Sequence, residues 1–127
     1  MKAITLALCL CACLSAQAQI KVTVYTYQAD PRQTDDTPLI TADGSKIDTL
    51  LLNKGHLFWV AVSPDLEEKF PVGYSEMYIE GIGDCTGVYQ VKDRMNARHR
   101  RAVDILICLS CRPQMWRDVS IYEIDSL

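Results

Sequence analysis

Past residue 18 the chain has no apolar run approaching the roughly twenty residues that a membrane-spanning helix requires, and it holds only two histidines, His56 and His99. The first absence excludes a helical anchor in the body of the chain. The second leaves a zinc site short of ligands. Cys108-Leu109-Ser110-Cys111 has zinc or redox spacing, but neither histidine has a partner at ligand spacing. No metal and no cofactor is expected. Lys and Arg number 13 against 16 Asp and Glu, a net charge of −3, so the basic surface that neutralises phosphates is missing. One segment runs against this background: KDRMNARHRR, residues 92–101, with five Lys or Arg residues and a His. No aromatic residue interrupts it to stack on bases. Nucleic acid is therefore not expected as a partner. There is also no internal repeat, low-complexity tract or linker.

What is present at the start is MKAITLALCLCACLSAQA, with Lys2, an apolar run to Leu14 and the small-x-small site Ala16-Gln17-Ala18. It reads as a secretory signal over residues 1–18, followed by a single domain over 19–127. An exported protein is expected, periplasmic or secreted. In a competing reading Leu10-Cys11-Ala12-Cys13 is a lipobox, and a lipid on Cys13 tethers the domain to an outer membrane. A monomer is expected in either case. Cys9, Cys11 and Cys13 lie in this segment, which leaves Cys85, Cys108 and Cys111. In an oxidising compartment two of the three can pair, and spacing alone does not say which.

The remainder reads as short strands. IKVTVYTY, residues 20–27, alternates β-branched and polar residues. LFWVAVSPDL, residues 57–66, is nearly continuous apolar sequence halted at Ser63-Pro64. EMYIEGIG, GVYQVKD, AVDILI and WRDVSIYEI follow, with Asp43-Gly44 marking a turn before them. Five or six strands with one or two short helices, placed in the basic stretch or around Pro113 to Arg117, imply a small closed β-barrel. The fold class is all-β.

Two aspartates flank the basic stretch, Asp93 in VKD and Asp104 in AVDIL, each at the loop-proximal end of an apolar strand. Val91, Val103 and Ile105 beside them are expected to desolvate a carboxyl and raise its pKa towards that of a general acid; the arginines oppose this. Trp59 and Trp116 read as packing residues. Tyr74 and Tyr78 fit either a carbohydrate groove or solvent-facing strand positions.

The run WVAVSPD, FPVGYSEMYIEGIG, YQVKD, VDILI eleven residues on and a closing MWRDVSIYEI resembles the three-aspartate (3D) domain, over roughly residues 22–124. Thr41-Ala42-Asp43-Gly44 looks like that family's Thr-Ala-x-Gly segment. The family belongs to the RlpA-like double-psi β-barrels and is similar to the barrel of membrane-bound lytic transglycosylase A. The resemblance implies cleavage of the MurNAc–GlcNAc bond of peptidoglycan with a 1,6-anhydromuramoyl product, and glycan strands as partner. It implies Asp104 as catalytic acid and base, Asp93 as the second catalytic carboxylate, and Thr41 in the substrate groove.

The chain departs from the family twice. Ser63 stands where the first aspartate of the triplet is found, with Asp65 two places on. RMNARHRR replaces a glycine-rich loop. Ser63, Asp65, Arg94 and Arg98 are carried forward as candidate substrate-binding residues, the arginines because guanidinium pairs well with the carboxylates of muramyl lactyl groups or stem peptides. The alternative reading is a barrel that kept the fold, lost the reaction, and binds cell wall or a protein partner.

Overall fold

The computed structural model describes residues 19–30 and 37–124. The expected leader, with Cys13, lies outside the described residues. Six strands form one closed barrel: β1 Ile20–Gln28, β2 Trp59–Val62, β3 Glu76–Ile79, β4 Gly87–Arg94, β5 Ala102–Ile107 and β6 Met115–Glu123. Their order around the barrel is β1-β5-β2-β4-β3-β6. The pairings β1–β5 and β2–β4 are parallel and the other four antiparallel. This is the mainly β, six-stranded barrel expected from the sequence.

Alternation along each strand sorts side chains between two apolar clusters. The lumen takes a pair from every strand: Val22 and Val24, Val60 and Val62, Met77 and Ile79, Tyr89 and Val91, Val103 and Ile105, Val119 and Ile121. Phe70 and Leu66 plug it from the connection after β2. The second cluster lies on the outer wall, where Tyr27, Ala61, Ala102, Leu106 and Cys108 are covered by Ile47, Leu52 and Met95. At about 25 cal/mol per Å² of apolar surface, both clusters contribute to folding, and only the lumen is lined from all sides.

The cover over the outer wall includes a five-residue helix, α1, Thr49–Asn53. Asp48 caps it, its Oδ1 accepting from the N–H groups of Leu50 (3.0 Å) and Leu51 (3.2 Å). Leu52 is its one buried residue. This is a correction to the expected helix positions. The basic stretch begins as the end of β4 and runs as a loop beyond Arg94, and Met115 to Arg117 already belong to β6. The proline at 113 removes a ladder donor just before that strand.

Among the described cysteines, Cys108 and Cys111 form the disulfide and Cys85 is free. The bridge closes the turn after β5. Gln28 at the end of β1 ties into the same turn, its side-chain amide donating to the carbonyl oxygens of Leu109 (2.9 Å), Cys108 and Cys111 (both 3.3 Å).

Candidate active site

Ala61 is the centre of the site. It pairs with Asp104 on β5 in one direction and with Asp93 on β4 in the other. With strands about 4.8 Å apart, the two aspartate Cα atoms stand about 10 Å apart across the small Ala61 side chain. Asp104 shares the outward parity of Ala102 and Leu106, and Ala61 that of the same wall. A β-bulge brings Asp93 into line. The register runs Val60 with Val91 and then Ala61 with Asp93, so Lys92 is an extra residue on β4. Without it Lys92 would face Ala61. The bulge re-aims the carboxylate.

Lys92 itself is occupied next door, its ammonium 5.4 Å from the centre of the Trp59 ring and 3.4 Å from Asp43 Oδ2. Asp43 Oδ1 accepts from the Thr41 hydroxyl (2.5 Å) and the Ser45 N–H (2.9 Å). This holds the Thr41–Ser45 turn beside β4. From that turn the Ala42 N–H donates to Asp93 Oδ1 at 2.9 Å, and the Arg94 N–H donates to the same oxygen at 2.8 Å.

Both carboxyl groups open into a cleft of about 400 Å³, bounded also by Tyr27, Ile40, Met95, Arg98 and His99. That volume lies in the range of small-molecule sites. Asp104 Oδ1 is buried and has no hydrogen-bond partner among the described residues. Burial, and then the negative charge of Asp93, push its pKa from 3.8 up to about 7. The arginines are not among the causes.

The apolar neighbours expected to desolvate Asp104 are the wrong ones. Val91, Val103 and Ile105 all point into the lumen, on the opposite face of their strands. Asp104 is instead shielded on the outer wall, where Tyr27, Ala61 and Met95 line the same cleft. Tyr27 is 7% exposed and the pKa of its phenol is raised, first by burial, then by Asp93 and Asp104, with hydrogen bonding towards Asp93 adding to it. Its Oη makes no hydrogen bond of ordinary geometry among the described residues.

Of the residues singled out from the sequence, Asp93, Asp104, Arg94 and Arg98 meet in this cleft. Arg94 is already engaged, its guanidinium forming a forked pair with Glu67 through Nε and through Nη2 at 2.9 Å. Arg98 is exposed at the cleft edge, and His99 packs edge-on against Tyr25 with ring centres 6.0 Å apart. Thr41 is buried behind the turn, its hydroxyl directed to Asp43 and to the Ser45 carbonyl.

Ser63 and Asp65 stand apart from the cleft. Ser63 is fully buried, its Oγ accepting from the Ala102 N–H at 3.0 Å while its own N–H donates to the Ala102 carbonyl at 3.0 Å. It stitches β2 to β5. The Asp65 carboxylate accepts from the Arg101 N–H at 3.0 and 3.3 Å and faces a different surface hollow. Tyr74 is 93% exposed, Tyr78 lies tilted against Tyr122 with ring centres 6.1 Å apart, and Trp59 donates to Gln90 at 3.1 Å.

Sequence reasoning missed Tyr27. In IKVTVYTY it reads as one more strand residue, yet its parity with Tyr25, opposite to Val22 and Val24, puts it on the outer wall with the aspartates. Among the described residues no group of three or more His, Cys, Asp or Glu is arranged to hold a metal ion. No family model matches the chain, and no curated protein matches it.

Proposed function

We propose that this is an exported enzyme of the lytic transglycosylase type, acting on the MurNAc–GlcNAc bond of peptidoglycan. One observation supports the reading above the others. Asp104 is a carboxyl with a pKa of about 7 in a cleft beside a second carboxylate, which is the condition for a general acid at neutral pH. The likeness of YQVKD and VDILI to the 3D domain supports it independently.

In this reading protonated Asp104 gives its proton to the glycosidic oxygen as the bond from the sugar C1 breaks. The GlcNAc side leaves as an alcohol. Asp93 stabilises the positive charge that develops at C1. The 6-hydroxyl of the same muramoyl residue then attacks C1, and Asp104, now a carboxylate, takes the hydroxyl proton. The product is the 1,6-anhydro sugar, and no water is consumed. Arg98 at the cleft edge is free to pair with a lactyl or stem-peptide carboxylate. Arg94 is held by Glu67 and is the weaker candidate.

Ser63 and Asp65 favour a second reading. Neither supplies a third carboxylate to the cleft, which fits a barrel that binds cell wall without cutting it. Incubation with purified peptidoglycan sacculi and mass spectrometry of the soluble fragments separates the two. Anhydromuropeptides from the wild-type protein and none from Asp104→Asn are the expected result. Binding to sacculi with no product from the wild-type protein would refute the enzyme and leave the binding module.

A further inference from the structure

Asp93 and Asp104 share one cleft, yet their surroundings differ in hydrogen-bond donors. Asp93 Oδ1 receives the N–H groups of Ala42 and Arg94, whereas Asp104 Oδ1 receives none from the described residues. The Tyr27 hydroxyl is buried without a partner among the described residues, and Tyr27 lines the cleft that Asp93 and Asp104 share. It enters from β1, two residues beyond Tyr25, the register partner of Asp104. A buried phenol with no ordinary hydrogen bond is an unusual feature of a native core, and the acceptors that share its cleft are the two carboxylates. Apo sites commonly hold such contacts long.

We propose that Tyr27 is a positioning residue that donates its hydroxyl hydrogen to Asp93, and thereby assigns the acid role to Asp104. The chemistry requires the two carboxyls to differ. Donors stabilise the charged form of a carboxyl, and a charged neighbour favours the neutral form of the other. With Tyr27 added to the N–H groups of Ala42 and Arg94, Asp93 keeps its charge while Asp104 keeps the proton. The groups facing the pair are Tyr27 from β1, Arg94 at the end of β4, and Asn96, Arg98 and His99 from the loop that follows. Arg94 is neutralised by Glu67. Among these Tyr27 is the buried side-chain donor, whereas Asn96 and Arg98 are exposed, and the raised pKa of Tyr27 keeps the proton on the phenol.

The inference rests on the acid role proposed for Asp104, but its test needs no substrate. Side-chain carboxyl carbons of Asp93 and Asp104 are followed by NMR as a function of pH in the wild-type protein and in Tyr27→Phe, which keeps the ring and loses the donor. The midpoint of Asp93 should rise by roughly one pH unit, the scale of a lost hydrogen bond to a charged group, so that the two titrations draw together. Site-specific 3-fluorotyrosine at position 27, a stronger donor, should move Asp93 in the opposite direction, and it serves equally if Tyr27→Phe fails to fold. An Asp93 midpoint that does not move in either protein, or a response confined to Asp104, overturns the proposal. Failure to cleave sacculi would sink the enzymatic reading without altering these titrations, so the two failures are distinguishable.

Discussion

Replacing Asp104 by Asn should make the protein more stable, and more so as the pH rises. The Asp104 carboxyl ionises at about 7 in the folded protein against an ordinary value of 3.8. Below 3.8 it is neutral in both the folded and unfolded chain and costs nothing. Between 3.8 and about 7 the unfolded chain gives up the proton more readily, so folding is progressively disfavoured; above 7 the loss is complete. At 1.36 kcal/mol per pH unit the interval amounts to about 4 kcal/mol, an upper figure because the group is only partly shielded from water. Against a typical total of about 5–15 kcal/mol that is a large fraction. Asparagine is neutral throughout and nearly isosteric. Urea unfolding of the wild-type protein and Asp104→Asn should therefore give a stability difference near zero at pH 4 that grows to as much as about 4 kcal/mol at pH 8. Titrating groups that do not interact with Asp104 cancel in that difference; Asp93, whose charge acts on Asp104, does not. A difference that stays flat from pH 4 to 8 would refute the burial argument for Asp104, and with it the physical basis of its role as acid.

Two backbone positions make further claims that melting experiments can check. Arg101 has φ 46°, and its bond to Asp65 runs through the main-chain N–H, so Arg101→Gly should relieve left-handed strain and raise stability by about 0.5 kcal/mol net of the extra freedom of the unfolded chain; Arg101→Ala should not. Gly73 has φ 88°, and a Cβ there would lie 3.1 Å from Asp43 Cβ. Gly73→Ala should cost about 1–2 kcal/mol and push on the turn that presents the Ala42 N–H to Asp93.

The strands were legible because their signals are local. Val22 and Val24 alternate with polar neighbours, and Ser63-Pro64 stops β2 where a proline must. Both aspartates could be found because each closes or opens such a strand. What lay hidden depends on register. Nothing in YQVKD announces that Lys92 is an extra residue, and strict alternation would have turned Asp93 away from the cleft. The assignment of Val103 and Ile105 to the desolvation of Asp104 failed for the opposite reason, since alternation along β5 turns both of them away from its face. Helix α1 escaped for a different reason: five residues cannot show a helical period, and only Asp48 before Thr-Leu-Leu-Leu and Gly55 (φ 74°) after it punctuate the segment. The roles of Ser63, Asp65 and Arg94 turn on partners distant in sequence, Ala102, Arg101 and Glu67, which spacing does not reveal.

The two faces of each strand have become two separate inheritances. Lumen side chains determine whether the barrel closes; the outer wall, from Tyr25 through Asp104 and Ala61 to Asp93, determines what chemistry the closed barrel presents. Substitutions among Val60, Val103, Ile105 and Val91 can therefore drift in size together while the carboxyls keep their spacing, which the hydrogen-bond ladder sets. A single insertion beside Lys92 has the opposite character. It leaves the composition of the lumen nearly untouched and removes a carboxylate from the cleft in one step, so on this barrel the chemistry is more exposed to changes of length than to changes of residue.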